Sequence, residues 1–285
     1  MQTAIDVLIP VFVGLTMLAL GVTVPAEETV RGFRDKRTIW VGSVLNLLVV
    51  PALGLAIVST IDLPQALEYG LLLTALSPAA PIVLKVMEFA RLDRGRWIGL
   101  IVILQLVGAI VVPLEAALFL SPAAEINQLG LFVTVVVLQI VPLAAGALWR
   151  TRLGAGTEKV GRLLTAASTY AFALLVTLVL VNDLPEFASL FEFQIVSAML
   201  LLLTSSLLIG SFFGGGDPSS RKAFALICAA RKGGLALIIA QGAFSAGSPV
   251  IVMVVAYALL ELVVLTGLAG TWGWGFVRRT AGDHA

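Results

Sequence analysis

Nine runs of about twenty mostly apolar residues follow one another along this chain of 285 residues, and no other feature constrains its fold as strongly. A helix needs about twenty residues to cross a bilayer, because each adds about 1.5 Å against a hydrocarbon core about 30 Å thick. The runs lie at residues 5–24, 39–60, 66–90, 97–120, 129–149, 162–182, 192–213, 220–244 and 248–272. They predict an all-α membrane protein of about nine transmembrane helices with short loops and no soluble domain. Hydrophobic residues make up 59% of the chain and charged ones 12%, whereas soluble domains are about half apolar and about a quarter charged. The lipid bilayer is therefore the main partner. A net charge of +1 with scattered basic residues excludes nucleic acid, whose phosphates call for a clustered basic face.

The chemistry is bounded by two counts. Cys228 is the only cysteine, so no intrachain disulfide, CxxC pair or cysteine-based zinc site can form. His284 is the only histidine and stands at the end of the sequence. Serine–histidine catalysis and histidine metal sites within the membrane body are thus excluded, and the chain reads as a non-enzyme without a resident cofactor. The first residues lack the basic region and cleavage site of a signal peptide, so the first run reads as a retained helix.

Lys and Arg collect in cytoplasmic loops. Of the 18 here, all except Arg231 and Lys232 fall in or beside alternate connections: after the first, third, fifth and ninth runs and at the start of the eighth. The intervening connections, around Asp62, Glu125, Asp183 and Gly247, contain none. This places the N-terminus outside and the C-terminus in the cytoplasm, in a cell's inner (plasma) membrane. Trp40, Trp97, Trp149, Trp272 and Trp274 fall at the same basic face, as interfacial anchors do.

An odd number of helices predicts an incomplete five-plus-five inverted repeat. Residues 1–120 would hold four helices, with a crossing helix at about 66–90, and residues 121–285 five, with a crossing helix at about 220–244. The helix breakers fall at corresponding places. Ser77-Pro78-Ala79-Ala80-Pro81 interrupts the third run and Ala230-Arg231-Lys232-Gly233-Gly234 the eighth. Proline removes a backbone donor and paired glycines loosen the ladder, so both helices should unwind at depth. Interruptions at matching positions of two halves point to a transport site. At the far end, Asp217 and Pro218 read as the N-cap and first turn of the eighth helix.

Arg231 and Lys232 fall about ten residues into the eighth run, where an ionisable group costs at least about 2.5 kcal/mol. Glu261, at similar depth in the ninth, is the natural counterion. Two readings stand: the cations bind an anionic substrate group, or Arg231 pairs permanently with Glu261 and only ties helices together. The first is adopted because two cations exceed one carboxylate. Lys85 either joins the site or snorkels to the interface. Glu88 and Glu115 read as solvated near helix ends. Asn46, Gln105 and Gln139 read as interhelical hydrogen-bonding groups, with Asn46 also counted in the site, and Cys228 reads as a packing residue.

With Leu45-Asn46-Leu47-Leu48-Val49-Val50-Pro51 in the second run, Ala75 to Pro81 leading to Val86–Arg91 in the third, Ala225 to Ala236 in the eighth, and Tyr257 to Glu261, the chain resembles the bile acid:sodium symporter family. The resemblance implies two discontinuous helices crossing at mid-membrane within a core domain, beside a panel domain of the first, fifth and sixth helices. It also implies a sodium-coupled transporter whose crossing helices carry oxygen ligands. At the matching positions this chain has Val83, Leu84 or Lys85 in the third run, and Ile227, Arg231 and Lys232 in the eighth. A hard cation wants oxygen ligands and is repelled by fixed cations, so sodium coupling is not expected from these residues. Sodium or proton as coupling ion stays open.

The expectation is thus a secondary transporter of a small organic anion working by alternating access, with a site formed by Pro78, Pro81, Lys85, Arg231, Lys232, Glu261 and Asn46. The alternatives are an arsenite or other oxyanion efflux carrier, and a membrane sensor or scaffold without flux.

Overall fold

The computed structural model describes residues 2–120, 128–244 and 248–282. The expected outer connections at Glu125 and Gly247, and His284, lie outside them. Among the described residues every regular element is helical, and seven helices are long and apolar enough to cross a membrane.

The first of these, α1 (Gln2–Thr23), leads through a short α2 (Ala26–Phe33) to α3 (Lys36–Val44) and α4 (Val50–Thr60). Asp35 caps α3 by accepting from the Thr38 N–H at 3.1 Å and its hydroxyl at 2.8 Å. Burial pushes the Asp35 carboxyl up, but these bonds and the Arg96 guanidinium outweigh it and hold the group below its ordinary range. α3 and α4 form one rod joined by a π-helical turn, Leu45–Val49. The cause is Pro51. Having no N–H, it cannot continue the ladder, and the Val50 N–H reaches back to Leu45 O instead. The Asn46 carbonyl is left without a donor from its own helix.

The third expected run is two helices, α5 (Gln65–Leu76) and α6 (Val83–Phe89), followed by the long α7 (Gly95–Phe119). Ser77 is extended (φ −75°, ψ 116°), as the residue before a proline must be, and α5 stops there. After α8 (Gln128–Leu153), α9 (Thr157–Asn182), the short α10 (Leu184–Ser189) and α11 (Phe193–Phe213), the eighth expected run is likewise split. It comprises α12 (Pro218–Ala229) and α13 (Gly233–Ala243), before α14 (Pro249–Gly282) closes the chain. Asp217 caps α12 as expected, accepting from Ser220 N at 2.9 Å. Each half-helix has at most 12 residues, about 18 Å of rise, so neither half alone spans the hydrocarbon.

α1 packs along its length on α8 and α9. Gly21 and Gly146 bring the backbones of α1 and α8 into contact, the Thr16 and Ser168 hydroxyls bond at 2.5 Å, and Phe12 meets Phe172 at 5.1 Å between ring centres. Small residues let helices approach in lipid, where no hydrophobic force drives them together. The remaining long helices surround the two broken pairs, and the buried core centres on α5, α12, α13 and the first half of α14.

The basic connections gather at one end of the bundle. Arg96 bonds Asp35 at 2.9 Å and Ser220 at 3.4 Å, Arg150 donates to Val22 O at 2.7 Å, and Lys222 sits 5.2 Å from the Trp272 ring centre. Trp97 departs from the expectation of an interfacial anchor: it is buried edge-on against Phe224, since α7 turns that face inward.

Candidate functional site

The two breaks meet and satisfy each other. Pro78 leaves its own carbonyl and the Ala80 N–H outside any helix; Lys232 N donates to Pro78 O at 3.0 Å, and Ala80 N donates to Ala230 O at 2.8 Å. Ala79 and Arg231 thereby face each other as a single antiparallel bridge. Unpaired backbone groups in hydrocarbon cost several kcal/mol each, roughly, so each break is tolerable because the other supplies its partners. Gln105 of α7 completes the pairing, donating to Ala79 O at 2.8 Å. α7 passes close enough here that a Cβ on Gly108 would stand 2.6 Å from Pro78 Cγ. Gly108→Val should therefore lower stability by about 2 kcal/mol, the middle of the range for overpacking, read by thermal unfolding in detergent.

Arg231 is 2% exposed. Its guanidinium donates to Asn46 Oδ1 at 3.1 Å, Asn46 O at 3.3 Å, Cys228 O at 3.2 Å, Thr74 O at 3.4 Å and Ala75 O. Glu261, 5% exposed, accepts from the Arg231 main-chain N–H at 2.9 Å. The expected pairing of guanidinium with carboxylate is thus replaced by carbonyl bonds, because the ends of α5 and α12 offer acceptors nearer to the guanidinium. Asn46 is fully buried and also donates to Gly42 O at 3.0 Å.

Lys232 points elsewhere. It is 3% exposed, its ammonium donates to Gln139 Oε1 of α8, and it lies 3.7 Å from Met17 Sδ of α1. Among the described residues it forms no ion pair. The second amide atom of Gln139, Nε2, is buried without a partner, as are Gln105 Oε1, the Tyr257 hydroxyl and one oxygen of Glu115. Glu115 therefore differs from its expected solvated state, since α7 carries it beside the core. Met17 has no polar or charged signature within an apolar run, and sequence reasoning missed it; Tyr257 entered only as part of the stretch that carries the resemblance.

Lys85 is not at the crossover. It is exposed and lines an open cleft of about 740 Å³ with Arg94, Arg150, Glu158, Arg162 and Tyr170, between α6 and the layer of α1, α8 and α9. α6 begins after Pro81 and turns Lys85 away from the break. Pro81 is half-buried at the start of that turn, its carbonyl accepting from Leu84 N at 3.2 Å. Glu88 is half-exposed and paired with Arg94.

Apolar spans, paired breaks and a charged crossover define an integral membrane protein of the all-helical class. The model of the sodium bile acid symporter family matches residues 10–190, more than half of the chain. The chain belongs to that family. It is also similar to a probable sodium/metabolite cotransporter, BASS2, chloroplastic, of Oryza sativa subsp. japonica, with 27% identity over 154 residues. The match covers 54% of this chain and 36% of the relative, so it spans about a third of that protein's length.

Proposed function

We propose that the chain is a secondary transporter that carries a small organic anion by alternating access. In this reading the two broken pairs each complete one crossing, giving nine, with the basic end of the bundle cytoplasmic. The helices divide into a layer of α1, α8 and α9 and a core containing the crossover, and residues 1–120 and 121–285 are the two inverted repeats. Membership of a symporter family supports transport. The observation that carries the anion is Lys232: a buried ammonium at the seam between crossover and layer, with neutral neighbours and no carboxylate paired to it. A buried cation without a counterion favours an anionic guest strongly, and a seam between two helix groups is where opening would admit one. The basic cleft beneath Lys85, Arg150 and Arg162 supplies an approach that concentrates anions. An arsenite-type carrier is less supported, because the Cys228 thiol is fully buried and 3.8 Å from Asn46 Nδ2.

Thermal unfolding of the purified protein against a panel of organic anions tests this reading, since a ligand of the native state raises the melting temperature. One anion class should stabilise the parent. Lys232→Gln should need at least about tenfold more of that anion for the same rise, a charge-assisted bond being worth about 1.5–3 kcal/mol. An equal response from the variant would remove Lys232 from the site. Anion flux into proteoliposomes separates transport from sensing.

A further inference from the structure

The chemistry around Arg231 is that of a cation cage. Broken-helix transporters hold coupling cations with unwound carbonyls and the C-terminal ends of half-helices, where the helix dipole is negative. Here the same kinds of group converge on the guanidinium. Thr74 O and Ala75 O lie in the last turn of α5: Pro78 lacks the N–H that Thr74 would receive, so Thr74 O keeps only the Ser77 N–H at 3.2 Å, and the chain has left the helix at Ala79, where the donor for Ala75 would stand. Cys228 O is the equivalent at the end of α12, since Lys232 N is committed to Pro78 O. Asn46 O is the carbonyl orphaned by Pro51 and the π turn, and Asn46 Oδ1 joins it. Five oxygen atoms from three elements thus surround one fixed positive charge that is 2% exposed.

We infer that Arg231 is a tethered cation standing where a mobile coupling ion would stand, so that this cage takes no sodium and flux is indifferent to sodium. The residues present do not fit a sodium ion: its oxygen ligands are already donated to, and a second positive charge would meet the guanidinium in a medium of low dielectric. The cage joins α5, α12 and the π turn before α4, so the charge belongs to one side of the moving seam and accompanies those elements through a cycle. The inference rests on the transporter reading for its consequence in flux, while the cage itself is testable by melting alone.

The experiment is thermal unfolding of purified parent and Arg231→Ala in sodium chloride and in choline chloride at equal ionic strength, with methylguanidinium chloride titrated into each. The parent should melt at one temperature in both salts. Arg231→Ala should melt lower in choline and rise saturably with methylguanidinium or sodium, as the vacated cage refills. Saturable stabilisation of the parent by sodium would overturn the inference and direct attention to the free Gln105 Oε1 and Glu115 Oε2. So would a folded Arg231→Ala that ignores both cations. If that variant does not fold, the parent comparison still decides, with Arg231→Lys as a second variant expected to melt below the parent and to ignore sodium; a sodium response there overturns the inference. Parent anion flux in proteoliposomes should be equal with either salt. Absence of flux under every condition would count against the transporter reading and leave the melting result standing.

Discussion

Gly21→Leu should destabilise the protein by about 3 kcal/mol and abolish anion flux, whereas Gly14→Leu, two turns earlier on the same helix, should be close to neutral. A Cβ on Gly21 would stand 2.2 Å from Leu143 O and 2.8 Å from Ala147 N, both main-chain atoms of α8 that no side-chain rotation can move. Gly146 meets α1 in the same way, 2.4 Å from Leu18 O. At Gly14 nothing lies within 4 Å of the added atom. Overpacking usually costs about 1–3 kcal/mol, and the upper end applies where only backbone can yield. Both effects are measurable by thermal unfolding in detergent and by uptake into vesicles. Flux should respond more than stability. Separating α1 from α8 also separates Met17 from Gln139, the two side chains that meet the Lys232 ammonium. A Gly21→Leu protein that melts with the parent would mean that α1 and α8 do not hold this contact in the membrane.

The helices were legible because their cause is local. Apolar runs of sufficient length give spans, Asp217 with Pro218 gives a cap, and Pro78 with Pro81 removes the donors that would carry α5 onward. The break between α12 and α13 was legible only in part: Gly233 and Gly234 loosen the ladder, but what holds Ala230 to Lys232 extended is the pairing with Pro78 and Ala80 across the bundle. The site was harder. Arg231 and Lys232 are adjacent and read as one pair of cations, yet in an extended segment neighbouring side chains point to opposite sides. One enters a cage of carbonyls and the other faces α1 and α8. Four of the five acceptors around Arg231 are main-chain oxygens, which no residue type announces; only Asn46, five residues before Pro51, offered a signal. Lys85 was evenly placed between site and interface because a run of apolar residues does not say where α6 will aim after Pro81. The basic residues were placed at one face by the sequence, but not their gathering in an open cleft, since it brings Lys85 of α6 against Arg150 and Arg162, which flank the connection between α8 and α9.

Glu261 offers a way to separate two roles that proximity to a cation confuses. Its carboxylate accepts from the Arg231 main-chain N–H at 2.9 Å, inside the break, where both residues are buried. If acceptance is its role, Glu261→Gln keeps an oxygen in place and should melt near the parent, while Glu261→Leu orphans the N–H. That loss should be about 2–3 kcal/mol, the upper part of the range for an unsatisfied buried donor. If instead its negative charge balances the guanidinium, both variants should fall together, by about 3–5 kcal/mol, the penalty for stripping a buried charge of its partner. The geometry favours the first outcome. Every guanidinium bond runs to Asn46 or to a carbonyl, and two half-helix C-termini already place negative dipole ends around it. Melting of the two variants side by side decides the matter, and it bears on transport as well. A cage whose charge is balanced by helix ends keeps its cation through any motion of α14, whereas one balanced by Glu261 would lose that balance whenever α14 moved away.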